Sequence, residues 1–370
     1  MIPYGKQSID RKDIEQVVDV LRSDFITQGP KIEKFEKALA RYCGAKYAVA
    51  SSSGTAALHL AYLVLGLRVG DEVITTPNTF AATANMIAAC GSKPVFSDIR
   101  PDTYNLDEGK ITSSITKRTK AIVPVHLAGQ PCEMEKIAAI AKKYRLSVIE
   151  DACHALGSRY KDSRVGDCHY SDITVFSFHP VKSITTGEGG AALTNNKKLY
   201  QRMVLLRNHG IHKNKTGRNV MTDLGYNYRM TDIQAALGLS QLQKVSGFIR
   251  RRNQVAKWYG EALGNSTDIF LPKVLPENYS AWHIYVIKVQ NSRYRDKLAL
   301  FLKKNGIGVN FHYPAVYSHP YYRVNGYKNT RLANEEKYHK SCLTLPCYPG
   351  LTRTNVRLVA ALINKFFNKK

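Results

Sequence analysis

Acidic residues are scarce in this 370-residue chain: 29 Asp and Glu stand against 54 Lys and Arg, for a formal charge of +25. Such an excess is compatible with nucleic acid, a membrane surface or an anionic small substrate. The basic residues come in short scattered groups at 117–120, 142–145, 250–252 and 369–370, with no RNP-like or zinc-finger pattern beside them. A solvated basic surface is therefore expected, and no nucleic-acid partner. Long apolar runs are also missing. The longest, Ala56–Leu67, is too short to span a bilayer and contains His59, so it reads as a buried helix, and no membrane association is expected. The N-terminal MIPYGKQSIDRKD lacks the apolar core of a secretory signal. Seven cysteines form no CxxC pair, which points to reduced thiols in a cytoplasm; Cys342 and Cys347 read as buried thiols. No GxGxxG, P-loop, HExxH or GxSxG motif occurs, and the histidines at 126, 154, 169, 179, 209 and 212 lack metal-ligand spacing, so no metal is expected.

What is present is an alternation. YAVA leads into SSSGTAALHLAYLVLGL, DEVITT into NTFAATANMIAACG, AIVPVHLAG into MEKIAAIAKKY, and LSVIED, DITVFSFH and GGAALTN follow. Short β-branched runs alternating with helical patterns predict an α/β fold with a mostly parallel, helix-covered sheet, whose ligands bind at the carboxyl ends of the strands. Beyond Asp232 come a long helical stretch, the strand WHIYVIKV, the helix RDKLALFLKKNG, the strand IGVNFHY and a final helix, NVRLVAALINKFF. The expected division is a large domain over 14–245 and a smaller α+β domain from 1–13 and 246–370.

The strand ends carry the chemistry. Asp151 closes the apolar run SVIED, and a buried carboxylate needs a cationic partner or several hydrogen bonds. It either caps the next helix or pairs with a pyridinium nitrogen, as an enzyme holding pyridoxal phosphate requires. Lys182, in FSFHPVKSITTGEGG, sits in an apolar, small-residue setting. Desolvation makes a lysine amine nucleophilic, and its task with a pyridoxal aldehyde is a Schiff base. The glycines after it read as room for cofactor and substrate. Gly54 and Thr55 open a helix directly after a strand, where free amides cradle a phosphate. Ser177 can add a hydroxyl to the same phosphate. Phe80, after another strand, either packs in the core or offers its ring face to a pyridine.

In order along the chain, SGTAALHLA, ITTPNTFAATANMI, PVFSDI, AIVPVHLAGQPCEME, VIEDACHALGS, VFSFHPVKSITTGEGGA, LRNHGI and LGYNYRMTDIQAALGLSQL resemble the motifs of the DegT/DnrJ/EryC1/StrS sugar aminotransferases. These are fold-type I pyridoxal-phosphate enzymes, and the resemblance spans almost the whole chain. It implies Lys182 as the Schiff-base lysine, Asp151 as partner of the pyridine nitrogen and Phe80 as the stacking aromatic. It further implies His154 beside the ring's 3-hydroxyl, and Gly54, Thr55, Ala56 and Ser177 as the phosphate cup. Asn227 matches an asparagine that reaches into the partner subunit's site, so a homodimer is implied. Substrate contacts are implied for Tyr4, for Asp24, Phe25, Ile26 and Thr27, and for Asn310, Phe311, His312 and Tyr313. Some relatives replace the lysine by histidine and dehydrate sugars; HPVKS here favours amination.

Within the family the motifs resemble most the members that aminate C4 of a UDP-linked 4-keto-6-deoxy-N-acetylhexosamine in pseudaminic acid biosynthesis, with L-glutamate as donor. Two other readings stand beside this one. They are the same chemistry on another nucleotide ketosugar, of GDP-perosamine or 3-keto type, and a basic nucleic-acid-binding protein on an α/β scaffold.

Overall fold

Short apolar runs and helical stretches that alternate along the chain cannot bury both kinds of surface except in layers. The computed structural model describes residues 1–368, so the basic pair at 369–370 lies outside the described residues. Seven strands form one sheet: β1 (Tyr47–Ser51), β2 (Glu72–Thr75), β3 (Lys93–Phe96), β4 (Thr119–Val123), β5 (Ser147–Asp151), β6 (Ile173–Ser177) and β7 (Gly190–Thr194). Their order is β1-β7-β6-β5-β4-β2-β3. The pairs from β6 to β3 are all parallel, and β7 runs antiparallel between β1 and β6. This is the expected mostly parallel α/β sheet. Its strands are buried on both faces, which is why they read as continuous apolar runs rather than alternating ones.

The helix Gly54–Val64 lies buried against the sheet, with Ala57, Leu58, Leu60, Ala61 and Tyr62 almost wholly inaccessible, as its sequence predicts. Ser53 caps it, accepting a hydrogen bond from the Ala56 amide. A long helix, Asp232–Leu263, starts at a capping box formed by Thr231 and Gln234. It places Ala235, Val245 and Ile249 in the core beneath the sheet, and Val255, Tyr259 and Leu263 in a second core. That second core is closed by an antiparallel sheet of β8 (Ile269–Phe270), β9 (Tyr285–Val289) and β10 (Cys342–Leu345), in the order β8-β9-β10, and by the helices Arg295–Lys304 and Arg353–Asn368. We propose that the two units divide within the long helix.

Two local expectations change. IGVNFHY does not form a strand. Ile307 bridges Ile2, the Gly308 amide donates to the Ile2 carbonyl at 2.7 Å, and Asn310 makes a single bridge to Thr344. The N-terminus takes the hydrogen bonds that a neighbouring strand would have supplied. The CLTL segment supplies the third strand of the small sheet instead, with Cys342 and Cys347 buried as free thiols. The basic run 250–252 is not uniformly solvated either. The 3.6-residue period of the long helix turns Arg252 inward until it is 1 % exposed.

Candidate active site

The carboxyl ends of β1, β5 and β6 converge on one region. Phe176 and Phe178 are completely buried and pin the end of β6; burial of each stabilises by about 2–3 kcal/mol. The chain then leaves the sheet in a loop held by Phe178–Gly189, Thr186–Phe178 and Lys182–His179 backbone hydrogen bonds, and returns as β7. Lys182 lies on this loop. The residue is half-buried, and desolvation lowers its ammonium pKa below the ordinary lysine value against the opposing influence of Cys153 and Asp151.

Asp151 is buried at the end of β5. One carboxylate oxygen accepts a hydrogen bond from the Thr83 hydroxyl at 2.6 Å, the other from the Cys153 amide at 3.2 Å. Among the described residues no Lys, Arg or His bonds to it, which leaves this buried carboxylate able to take a cationic partner. Thr83 is itself fixed by Thr79 at 2.7 Å. Neither threonine was singled out from the sequence; both lie in TTPNTFAAT, one and three residues from Phe80. Phe80 is not in the core: its side chain is 62 % exposed, 6.3 Å from the Tyr313 ring. An exposed phenylalanine beside a buried carboxylate offers an uncovered apolar face.

The first turn of the Gly54–Val64 helix supplies the anion cradle. The amides of Gly54 and Thr55 have no acceptor one turn back, whereas that of Ala56 is already taken by Ser53. A Cβ at Gly54 would stand 2.8 Å from that of Ser177, so glycine there lets the serine hydroxyl approach the helix end. Gly190 has a different task from the one the sequence suggested. A Cβ on it would meet the Ser53 carbonyl carbon at 2.5 Å and the Gly54 nitrogen at 2.6 Å. The glycine makes room for the backbone of the helix start, which brings the cradle next to the lysine loop.

His154 accepts from the Ala128 amide at Nδ1, 3.2 Å, and its Nε2 lies 3.0 Å from the Tyr313 hydroxyl. The His283 ring packs against it at a tilt of 47°, with centroids 4.3 Å apart. Burial, reinforced by the charge of Lys182, keeps His154 and His283 well below the ordinary histidine range. His312, bonded to Thr344 Oγ1 at 2.7 Å and 5.7 Å from the Tyr4 ring, is depressed to about 4 for the same reasons. The Tyr313 amide is anchored by Asn78 Oδ1 at 3.2 Å. Tyr4, His154, His312 and Tyr313 therefore gather around Lys182, and Asn310 joins them through a 3.5 Å contact with His312. Phe311 does not. It packs on the second core with the Arg295 guanidinium 4.4 Å from its ring centroid.

The segment Asp24–Thr27 is placed elsewhere within the chain. The Ile26 carbonyl accepts from the Asp232 amide, Thr27 bridges Thr231, and the Phe25 and Ile26 side chains are more than half exposed. Asn227 is exposed too, and its side chain makes no hydrogen bond within the described residues. A cavity of about 440 Å³ lined by Gln28, Glu36, Arg207, His212 and Arg229 includes neither Lys182 nor Asp151; the chemistry, rather than this open hollow, locates the site.

A desolvated amine, a buried carboxylate with no salt bridge among the described residues, an exposed ring and free helix amides are the four contacts an aromatic aldehyde phosphate with a basic ring nitrogen needs. The comparisons agree. The chain is 40% identical over 365 residues, 97% of this chain and 96% of the other, to the UDP-4-amino-4,6-dideoxy-N-acetyl-beta-L-altrosamine transaminase of Campylobacter jejuni. It is similar in structure to Helicobacter pylori PseC, an aminotransferase involved in the biosynthesis of pseudoaminic acid, with a TM-score of 0.95, 34% identity and complete coverage of both chains. It is also similar to the putative sugar aminotransferase Spr1654 of Streptococcus pneumoniae in its PMP form, with a TM-score of 0.95, 30% identity and complete coverage of both chains. The sequence pattern of one family extends over residues 7–364. That pattern and the four contacts make the chain a member of the DegT/DnrJ/EryC1/StrS aminotransferase family, a nucleotide-sugar transaminase whose cofactor is pyridoxal phosphate.

Proposed function

We propose that the protein transfers an amino group from L-glutamate to C4 of UDP-2-acetamido-2,6-dideoxy-β-L-arabino-hex-4-ulose, a UDP-linked 4-keto-6-deoxy-N-acetylhexosamine, in pseudaminic acid biosynthesis. The observation that carries the substrate is the end-to-end similarity to a transaminase named for a UDP-linked 4-amino-4,6-dideoxy sugar, with an uninterrupted Lys182 and Asp151 site. We place the enzyme in the cytoplasm as a homodimer.

Pyridoxal phosphate, when bound, supplies an aldehyde that captures amines and a protonated ring that withdraws electrons from the carbon losing its proton. In this reading the Lys182 amine would hold the cofactor's aldehyde and, as a free base, would serve to move a proton at the reacting carbon. Its lowered pKa suits both tasks. Asp151 would pair with the protonated ring nitrogen, and Thr83 and the Cys153 amide hold its carboxylate oriented. Phe80 covers one face of the ring, and His154 stands at its oxygen-bearing edge. Gly54 and Thr55 bind the phosphate through their amides, Ser177 through its hydroxyl, and Ala56 contributes the helix end rather than a free donor. Asn227 reaches the phosphate of the partner's site. Tyr4, Asn310, His312 and Tyr313 face the sugar, with Phe311 as packing behind them, and residues 24–27 would reach the substrate only from the partner subunit.

The test is glutamate-dependent amination of a panel of UDP-, GDP- and dTDP-linked 3-keto and 4-keto sugars, with products read by mass and NMR. The expected result is preferred amination of the UDP-linked β-L-arabino 4-keto sugar at C4. Preference for a GDP-linked or 3-keto sugar would replace the substrate assignment. The absence of amination with any of them would remove it.

A further inference from the structure

Beneath the Lys182 loop lies Arg252, the largest of the fully buried side chains. Burying a guanidinium is costly unless its donors are satisfied, and a buried ion is ordinarily matched by an opposite charge. Arg252 has no carboxylate partner among the described residues. Its donors go to main-chain carbonyls instead: Nη1 to Cys347 at 2.8 Å, His283 at 2.9 Å and Trp282 at 3.2 Å, and Nη2 to Val181 at 3.4 Å and Lys182 at 3.5 Å. Nε bonds to nothing. One planar fork thus joins the long helix, the approach to β9, the exit from β10 and the lysine loop.

We propose that Arg252 is a positioning residue for Lys182, fixing the Val181–Lys182 backbone against the second unit so that the amine stands at a set distance from the cofactor. The proposal rests on the assignment of Lys182 made above. The loop has only short-range backbone bonds of its own, and the Lys182 amide is held merely by His179, three residues back. A long-range tie at the lysine carbonyl has to come from outside the loop. The same guanidinium holds the carbonyl of His283, whose ring packs at a tilt against His154, which in turn bonds Tyr313. The amine and the imidazole pair that holds Tyr313 thereby share one anchor. Stability alone does not account for the charge, because an apolar side chain of similar volume commonly serves a buried site as well or better. A planar fork that reaches five carbonyls in three segments is a geometric device that neither lysine nor methionine reproduces.

The test uses Arg252→Lys, Arg252→Gln and Arg252→Met in the full chain. Displacing a reacting group by about 1 Å can cost on the order of 10²-fold in rate. Arg252→Lys should therefore lower kcat per cofactor-loaded site by roughly 10- to 100-fold with KM little changed. It should also move the pH midpoint of the bound cofactor's absorbance change. In the cofactor-free protein, amide exchange in the 178–186 peptide should quicken while peptides from β2 to β4 stay protected. A variant with a lowered melting temperature but wild-type kcat, absorbance midpoint and 178–186 exchange would overturn the proposal, and so would failure of all three variants to fold. Borohydride trapping of the cofactor on the wild-type chain, mapped by mass spectrometry, separates the two levels. Trapping at a residue other than Lys182 would sink the lysine assignment, whereas trapping at Lys182 with an unaltered Arg252→Lys enzyme would sink only the positioning role.

Discussion

His154 Nε2 lies 3.0 Å from Tyr313 Oη while His154 Nδ1 accepts the Ala128 amide, and the two bonds together fix where the protons are. A neutral imidazole has one N–H. Since Nδ1 is an acceptor, Nε2 donates and the tyrosine oxygen accepts. Burial keeps the Tyr313 phenol protonated by pushing its pKa up, so its own hydrogen is not used within this pair. It is available to an oxygen of the substrate.

Tyr313→Phe should accordingly fold normally, bind cofactor, and lose about 2- to 10-fold in kcat/KM, the effect of one neutral hydrogen bond of about 0.5–1.5 kcal/mol. Steady-state kinetics with the ketosugar varied measures this. A change below about twofold would mean that the phenol proton is not used.

In the proposed reaction Lys182→Ala removes both the amine that holds the cofactor and the base that moves the proton. Turnover should fall by more than roughly 10³-fold. Dialysis should strip cofactor from the variant faster than from the wild type, as followed by absorbance. Near wild-type turnover would show that another lysine does the work.

Thr83→Val keeps shape and removes the 2.6 Å donor to Asp151. A hydrogen bond to a charged group contributes about 1.5–3 kcal/mol, so activity should fall by roughly tenfold or more. Asp151→Asn should retain cofactor, slow deprotonation of the donor far more, and shift the cofactor spectrum. If Thr83→Val is indistinguishable from wild type, the threonine merely fills space.

Lys182 and Asp151 were legible because strand ends in a parallel sheet are where function accumulates, and a lone lysine or aspartate there breaks the apolar pattern. Thr83 was not, since a threonine on a buried helix has no pattern to break. Arg252 was hidden inside a run of three arginines, where only the phase of the helix tells the inward one from its neighbours. Phe311 illustrates the opposite difficulty. NFHY reads as one functional unit, yet His312 bonds Thr344 while Phe311 joins the second core, a split that no periodic pattern announces because the segment is not a regular strand. Contacts that depend on distant pairing, such as Ile2 with Ile307, leave no local trace.

Acid should weaken the fold through His312. Its pKa falls from 6.5 to about 4, first from burial and then from the charge of Lys182. Between those values the unfolded chain binds the proton and the folded chain does not, so the contribution is complete above about pH 6.5 and is lost as pH drops toward 4. Its size is at most about 3 kcal/mol. In urea titrations of the cofactor-free protein, the stability of wild type relative to His312→Gln should decline by about that amount between pH 7.5 and 4. A difference independent of pH would show that His312 is not held neutral.

Asn227 is the residue whose proposed role depends on a second copy of the chain. It is exposed, its backbone bridges Asn208, and its side chain has no hydrogen-bond partner within the described residues. Capping the turn before the long helix is already done by Thr231 and Gln234, which removes the simplest structural reason for an asparagine there. If it bonds the phosphate of the partner's cofactor, Asn227→Ala should weaken cofactor affinity by roughly tenfold or more, since a bond to a charged group contributes about 1.5–3 kcal/mol and about 1.4 kcal/mol is one decade. Mixing separates action across the interface from action within one chain. When Lys182→Ala and Asn227→Ala subunits form hybrids, action in trans puts both defects in one site and leaves the other intact, so activity at limiting cofactor should recover. Action in cis leaves every site defective and activity at the Asn227→Ala level. Hybrids verified by mass that show no recovery would return Asn227 to a local role.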